Sequence, residues 1–451
     1  MARSAVKNMT TGSPMKHILG FSIPLLFGCW FQQLYSMVDT IIVGQYLGMN
    51  ALAGVGSTGS INFMIVGFCI GVCNGFAIPI AQRFGAKDYA AMRKFVANCT
   101  WLSIIFSAII TVVVASLCKD ILIWMKTPSD IYADAYSYIF IIFLGIPATF
   151  LYNVLSGIIR SLGDSKTPLV FLIISSLLNI ALDLLCIVSF GWGVAGAAIA
   201  TVASQLISGI LCLIYMIKKF DILHIQKEEW KIDFYYIRLL CGMGIPMGLQ
   251  YTITAIGAVV LQTAVNSLGS LAVAALAAGN KVSMLFGCCF DALGSTMATY
   301  GGQNAGAGKP DRIKKGLKDC VLLGSVYSVL AFTVLYFFGE NFAALFVNAN
   351  EVNATMLSNS RLFLIINSAF YIPLALVNIV RFLIQGMGHS PLAIIAGVLE
   401  MVARIIVATI LVPLLGFSGV CLASPLAWIM ADAFLIPAYI HVQKKLEKSL
   451  A

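Results

Sequence analysis

Charge is scarce in this chain. Only 10% of its 451 residues are Asp, Glu, Lys or Arg, against 60% hydrophobic residues and a mean hydropathy of +0.94. That ratio excludes a soluble domain, which needs far more polar surface to face water. Histidine is scarcer still: the four (His17, His224, His389, His441) fall at span ends or in loops. An enzyme embedded in the membrane would need an intramembrane His, Ser or metal constellation, so no enzyme is expected. A zinc site fails on the same count, since the twelve cysteines lie within or at the edges of apolar spans. They include the adjacent Cys288 and Cys289 and the i,i+4 pair Cys69 and Cys73, and they read as buried free thiols acting as small apolar residues.

A nucleotide-binding loop is also missing. Residues 301–310 (GGQNAGAGKP) look phosphate-binding, but Gln303 stands where a P-loop needs Gly and Pro310 where it needs Ser or Thr. That stretch and its counterpart at 82–88 read instead as helix ends followed by a Gly turn at the cytoplasmic surface. No cofactor is expected, and without an ATPase module the energy for any transport must come from an ion gradient.

What the chain does have is long apolar segments of roughly 20 residues, the length that crosses the hydrocarbon core. Six lie in the first half (18–44, 51–82, 95–117, 138–159, 169–190, 194–217) and six follow a polar stretch (239–268, 271–298, 317–338, 362–384, 392–415, 420–440). The second half repeats the first. Gln82, Gly85, Ala86 and Cys99 recur as Gln303, Gly306, Ala307 and Cys320, offset by 221; Ile23-Pro24 recurs as Ile245-Pro246, offset by 222; Pro168 and Gly196 recur as Pro391 and Gly419, offset by 223.

An even number of spans per repeat makes both halves enter from the same side. The repeats are then parallel, related by an axis along the membrane normal, as in one class of secondary transporters. The expected fold is an all-α integral membrane protein of twelve transmembrane helices in two six-helix bundles. An N-terminal lobe covers 1–217, a cytoplasmic linker 218–231 and a C-terminal lobe 232–451.

Lys and Arg set the orientation. Of the 28, 22 fall on the side of the N-terminus, Arg3 among them, and two (Lys119, Lys126) on the other; Lys281, Arg361, Arg381 and Arg404 lie in or near helices. Both termini are expected in the cytoplasm, in the plasma (inner) membrane. The net charge of +9 is thus a topology signal, and no nucleic-acid partner is expected, because the basic residues are spread over loops. The first apolar span is too long for a cleavable signal and lacks a small-residue cleavage site. Membrane lipids are the expected surroundings and a monomer the expected state.

Acids in the middle of a bilayer cost about 2.5 to 3.5 kcal/mol on insertion scales and usually line a pathway. Five sit inside spans: Asp39, Asp183, Asp291, Glu400 and Asp432. At 1.5 Å per residue, Asp39, Asp183 and Thr201 all lie roughly 8 to 10 Å from the outer surface. Asn179 is one turn before Asp183, and Gln32 and Tyr35 lie on the face of Asp39. This oxygen-rich set suits a hard cation such as Na⁺, or two carboxylates sharing a proton; plain polar pairing between helices is the alternative. Carried across the repeat, Asp39 meets Val260 or Leu261, Asn179 meets Val402, Asp183 meets Ile406 and Thr201 meets Ser424. The fold therefore tolerates apolar residues at most of the equivalent places.

The chain resembles the multidrug and toxic compound extrusion family of antiporters from about Met9 onward. The resemblance rests on the start Met9–Pro14, Val38-Asp39-Thr40, residues 163–168 (GDSKTP), residues 178–183 (LNIALD) and residues 302–308 (GQNAGAG). It implies a cation site of the N-terminal lobe at Asp39, Asn179, Asp183 and Thr201, with H⁺ or Na⁺ as coupling ion. Some relatives place an acid in helix 7 for a second site; this chain has Gln250, Thr252 and Thr254 there, so coupling through the first lobe alone is implied.

Glu400 and Arg404 are spaced i,i+4 to pair within helix 11. Arg381 and Asp291 either join Glu400 in an inner gate or snorkel to the headgroups. Lys281 falls mid-span with no partner that the sequence names, and Asp432 is expected close enough to the inner face to be solvated. Gly67, Gly71 and Gly75 form a small-residue stripe that permits close helix approach. The expected function is export of drugs or other organic, cationic compounds in exchange for H⁺ or Na⁺, the lobes rocking to expose a central cavity alternately. A lipid-linked oligosaccharide flippase is the alternative, but such a carrier is expected to line its cavity with several Arg, and only Arg381 and Arg404 qualify. A channel suits a duplicated chain with a one-sided ion site less well.

Overall fold

A computed structural model describes residues 6–345 and 354–450; Arg3 lies outside them. Among the described residues the chain is helical with no strand, the form that lets an apolar segment satisfy its own backbone without water. The first repeat contributes α1 (Pro14–Leu47), α2 (Met49–Ser57), α3 (Gly59–Gly85), α4 (Tyr89–Ser116), α5 (Cys118–Trp124), α6 (Tyr132–Leu144), α7 (Ile146–Ser161), α8 (Lys166–Leu184) and α9 (Gly193–Lys219). The second contributes α10 (Phe234–Asn266), α11 (Ser270–Gly306), α12 (Pro310–Ala344), α13 (Ala354–Ala369), α14 (Tyr371–Gly386), α15 (Ser390–Ile406), α16 (Val412–Leu415) and α17 (Phe417–Leu450). Among the described residues ten helical stretches are long and apolar enough to span a membrane, and the number reaches the expected twelve when each of the bent pairs α6–α7 (46°) and α13–α14 (53°) is counted as one span.

The duplication is visible in the backbone itself. Each repeat has one bent pair, and two π-helical segments begin at Leu185 and Val407, separated by the same offset as Ile23 and Ile245. Pro24 and Pro246 sit inside the leading helices of the two repeats. Gly48 and Gly269 take positive φ (87° and 97°) at the start of α2 and α11. One detail departs from the expected Gly turns at the ends of α3 and α11. Gly85 and Gly306 are still helical, and the left-handed residue comes two places later, as Lys87 (φ 61°) and Gly308 (φ 65°). In both turns a 6→1 bond closes the helix, from Asp88 N to Arg83 O and from Lys309 N to Asn304 O.

The chain divides into two compact units, and the division does not fall in the linker. The first unit holds the chain up to Asn8 and Phe27–Tyr251; the second holds Met9–Leu26 and the chain from Thr252 onward. The break therefore falls inside α1 and α10, and each leading helix starts in the unit of the other repeat. Hydrogen bonds before each leading helix fix this exchange. In the second unit Gln303 Oε1 accepts from Met9 N at 2.9 Å, while Arg312 donates to the carbonyls of Met9 and Gly12, each at 2.9 Å. In the first unit Asn98 Oδ1 accepts from Asp233 N at 2.9 Å, Trp101 Nε1 donates to Trp230 O at 3.1 Å and Arg93 pairs with Glu229 at 2.8 Å.

The expected glycine stripe is a packing device. A Cβ on Gly71 would stand 2.5 Å from the Met247 carbonyl oxygen, and one on Gly75 would stand 2.5 Å from the Gly244 Cα. Thus α3 and the first part of α10 touch backbone to backbone. The second apolar span of the sequence is broken at Thr58, whose hydroxyl turns back to the Val55 carbonyl at 2.7 Å. None of the twelve cysteines forms a disulfide, and nine are buried.

This packing is open to two stability measurements. Gly71→Ala has no flexible neighbour to give way and should lower thermal stability in detergent by about 1–3 kcal/mol, whereas Gly20→Ala, with nothing within 4 Å of the added methyl, should be neutral or slightly stabilising; equal melting temperatures would refute the close contact. The hydrogen bond from Arg93 holds the Glu229 carboxyl below its ordinary range. Its contribution should therefore be full at neutral pH and fade only as acid titrates the carboxyl through that lowered value. Glu229→Gln should cost about 1–3 kcal/mol at neutral pH and little in strong acid, read from melting curves across pH.

Candidate functional site

Four elements of the first unit converge on one cluster. α1 supplies Asp39 and Tyr35, α8 supplies Asn179 and Asp183, α9 supplies Thr201 and α6 supplies Tyr138. Asp183 is fully buried and Asn179 is 1% exposed, while Asp39 is partly open. The carboxyls of Asp39 and Asp183 lie within electrostatic reach of each other. Tyr35 and Tyr138 both lie within electrostatic reach of the two acids.

The donors of Thr201 and Asn179 are already committed. Thr201 Oγ1 donates to the Ala197 carbonyl at 3.1 Å, and Asn179 Nδ2 donates to Thr201 Oγ1 at 3.4 Å. That orientation leaves the Asn179 amide oxygen as an acceptor. Asp39 Oδ1, Asn179 Oδ1 and both Asp183 oxygens are buried and accept no hydrogen bond. An ionised carboxylate has no donor of its own, so two facing carboxylates are held together only by a shared proton or by a cation between them. The chemistry of the set fits either.

The backbone breaks its ordinary register at the same spot. Immediately after α8 the chain runs π-helical over Leu185–Ser189, with Phe190 N bonding to Leu185 O at 3.0 Å. Such bulges insert one residue into a helix and re-aim the side chains around it. The second unit has the same device at Val407–Leu411. At the offset that relates the two π segments, the counterparts of Asp39, Asn179 and Asp183 are Leu261, Met401 and Ile405. The bulge thus belongs to the duplicated scaffold, and the acids belong to the first unit.

Asp39, Asn179, Asp183, Thr201 and Tyr35 are brought together as expected. Gln32 is not: it is exposed, and no hydrogen bond joins it to the cluster among the described residues. It stands seven residues, two full turns, from Asp39, roughly 10 Å along the axis. Tyr138 escapes the sequence reading because the apolar span begins there, which puts it at the surface. The helix begins at Tyr132, which carries Tyr138 into the layer of the acids.

The second unit carries a different arrangement. Glu400 is 4% exposed and engaged by both arginines: Arg381 Nη2 donates to its Oε1, and Arg404 Nη2 stands 3.8 Å from its Oε2. The expected pairing within helix 11 is present. The snorkelling alternative is overturned for Arg381, which is 5% exposed. Asp291 does not join the group: its side chain is exposed on α11, with no ion pair among the described residues. Asp432 is buried rather than solvated, 7% exposed, because α17 continues to Leu450 and leaves it mid-helix. Lys281 is exposed.

Comparison with known proteins fits this architecture. The family model MatE matches residues 24–185 and again residues 246–410, once per repeat, the two matches starting at the paired Pro24 and Pro246. Probable multidrug resistance protein YpnP of Bacillus subtilis is 30% identical over 355 residues, 77% of this chain and 78% of that protein. Probable multidrug resistance protein YoeA of the same organism is 29% identical over 338 residues, 73% of each. Among solved structures, an outward-facing multidrug resistance MATE family transporter of the MOP superfamily shares the fold with a TM-score of 0.89, at 22% identity and 98% coverage of both chains. Up to twelve candidate spans among the described residues, and a family model that matches each repeat, make this chain a member of the MatE, or multidrug and toxic compound extrusion, family of membrane transporters.

Proposed function

We propose that the chain is a secondary active antiporter that exports organic, cationic compounds in exchange for H⁺ or Na⁺ by alternating access, in the plasma (inner) membrane with both termini in the cytoplasm. The observation that carries this reading is the set of buried acceptor oxygens on Asp39, Asn179 and Asp183 that no donor among the described residues of the first unit satisfies. A proton bridging the two carboxyls, or a Na⁺ held by the same oxygens, neutralises them. Thr201 acts as a positioning residue, holding the Asn179 amide so that its oxygen faces the acids. The names of the Bacillus relatives support drug export as the cargo step. One charge moved across 100 mV supplies about 2.3 kcal/mol before any concentration term, so a single coupled ion does useful work.

The reading is tested by ethidium efflux from cells lacking other pumps, under imposed Na⁺ or pH gradients. One of the two gradients should drive efflux in the parent protein, and Asp39→Asn or Asp183→Asn should each remove at least about tenfold of the gradient-driven rate, a loss of about 1.4 kcal/mol or more, at unchanged membrane levels. Efflux in these variants equal to the parent's would sink the reading, as would a parent indifferent to both gradients. Tyr138→Phe removes a hydroxyl from beside the acids and should move the pH or Na⁺ concentration of half-maximal efflux without abolishing transport. An unmoved profile would remove Tyr138 from the site.

A further inference from the structure

The second unit holds a buried charge network for which the coupling site has no use. α14 contributes Arg381, α15 contributes Glu400 and Arg404, and α17 contributes Asp432, from three helices that pack on one another. Glu400 is engaged on both oxygens, by Arg381 and at 3.8 Å by Arg404. Arg404 also reaches outward, its Nη1 on the Thr254 carbonyl at 3.4 Å. Asp432 is the odd member. Its Oδ1 is buried and accepts no hydrogen bond, although Arg381 lies within electrostatic reach.

Arg381 and Glu400 already form a neutral buried pair. An ionised Asp432 beside that pair would leave a carboxylate oxygen dry and without a donor, an expensive state for a buried charge. Two events relieve it: a proton binds to Asp432, or Arg381 turns from Glu400 to Asp432 while Arg404 keeps Glu400 paired. The two exclude each other, which is the property of a switch.

We propose that Asp432 is a proton-binding site of the second unit, loaded while Arg381 is paired with Glu400 and emptied when Arg381 turns to Asp432. On emptying, the carboxyl O–H bond breaks, the proton passes to water and its electron pair stays on the oxygen that Arg381 then engages. The arrangement seen here, with Arg381 on Glu400 and Asp432 Oδ1 without a donor, is the loaded one. At the repeat offset the counterpart of Asp432 is Ile210, so the first unit offers no equivalent acid, and the site is separate from Asp39 and Asp183.

Other charges near α17 are spoken for. Lys314 on α12 pairs with Glu447, about four turns further along α17, and Arg361 on α13 pairs with Glu340 in the open. His389, at the start of α15, sits with His441 and Lys445 toward the end of α17, and Tyr439 lies beyond Asp432 in the same direction. The charge that Asp432 meets is that of Arg381.

The test is infrared difference spectroscopy of the purified full chain in lipid, stepping pH upward from a start above the range in which exposed Asp and Glu ionise and reading the carbonyl band of any carboxyl still protonated. In an Asp39→Asn/Asp183→Asn background, where the first-unit acids are silent, a titrating carbonyl band should remain; adding Asp432→Asn should abolish it, and Asp432→Glu should displace it in frequency. No remaining band in the double variant, or a band that survives Asp432→Asn unchanged, overturns the proposal. Should Asp432→Asn fail to fold, the displacement in Asp432→Glu decides alone, an unmoved band counting against the site. Because the background lacks the coupling acids, the outcome is independent of the antiport reading.

Discussion

A buried oxygen that can only accept hydrogen bonds must find a donor, a proton or a cation, and inside an apolar bundle no water is on hand to serve. The first unit commits two nearby donors elsewhere. The Thr201 hydroxyl proton goes to the Ala197 carbonyl and the Asn179 amide goes to Thr201, so Asp39 and Asp183 face each other with acceptors on both sides. Removing Thr201 would do more than delete one oxygen; it would free the Asn179 amide to turn its NH₂ toward the acids and satisfy them internally. The positioning residue matters because it keeps the cluster short of donors.

The duplicated backbone shows which features are scaffold and which are chemistry. The π segments after α8 and α15, the helix-interior Pro24 and Pro246 and the left-handed turns at Lys87 and Gly308 recur at the repeat offset within one position, and each repeat also carries one bent pair. They shape helices regardless of what the side chains do. The acids do not recur at that offset, and at an offset of 222 Arg381 and Glu400 fall on Ile159 and Leu178. Each unit has placed its own polar network on a common frame, which is possible because a π segment re-aims a helix face without dictating the residue on it.

Much of this is legible in the chain itself, because span length, repeat offset and helical phase are local properties. Phase and depth place Asp39, Asp183, Asn179 and Thr201 together correctly, and the glycine stripe on α3 announces a backbone contact. Errors arise where the ends of a helix are needed. Tyr138 is misplaced because α6 starts six residues earlier than its apolar run, and Asp432 reads as solvated because α17 runs past the hydrophobic segment to Leu450. Gln32 shares a face with Asp39 but stands two turns off, so phase without distance overreaches. The exchange of the leading helix segments leaves no mark in composition at all. It depends on contacts such as Met9 with Gln303, partners 294 residues apart in the chain, which no local pattern encodes.

The two networks also differ in what they are able to hold. In the first unit every unsatisfied atom of the acid cluster is an oxygen acceptor with no fixed positive charge among its partners, so a metal ion and a proton can both serve. In the second unit two guanidinium groups already stand against Glu400, and a Na⁺ brought beside them would meet like charge at close range in a medium that screens poorly. A proton adds its charge to the carboxyl oxygen itself and brings no second ion into the cluster. On the reading proposed above, its own arginines restrict the second network to proton exchange, whether the first unit is taken to couple to H⁺ or to Na⁺.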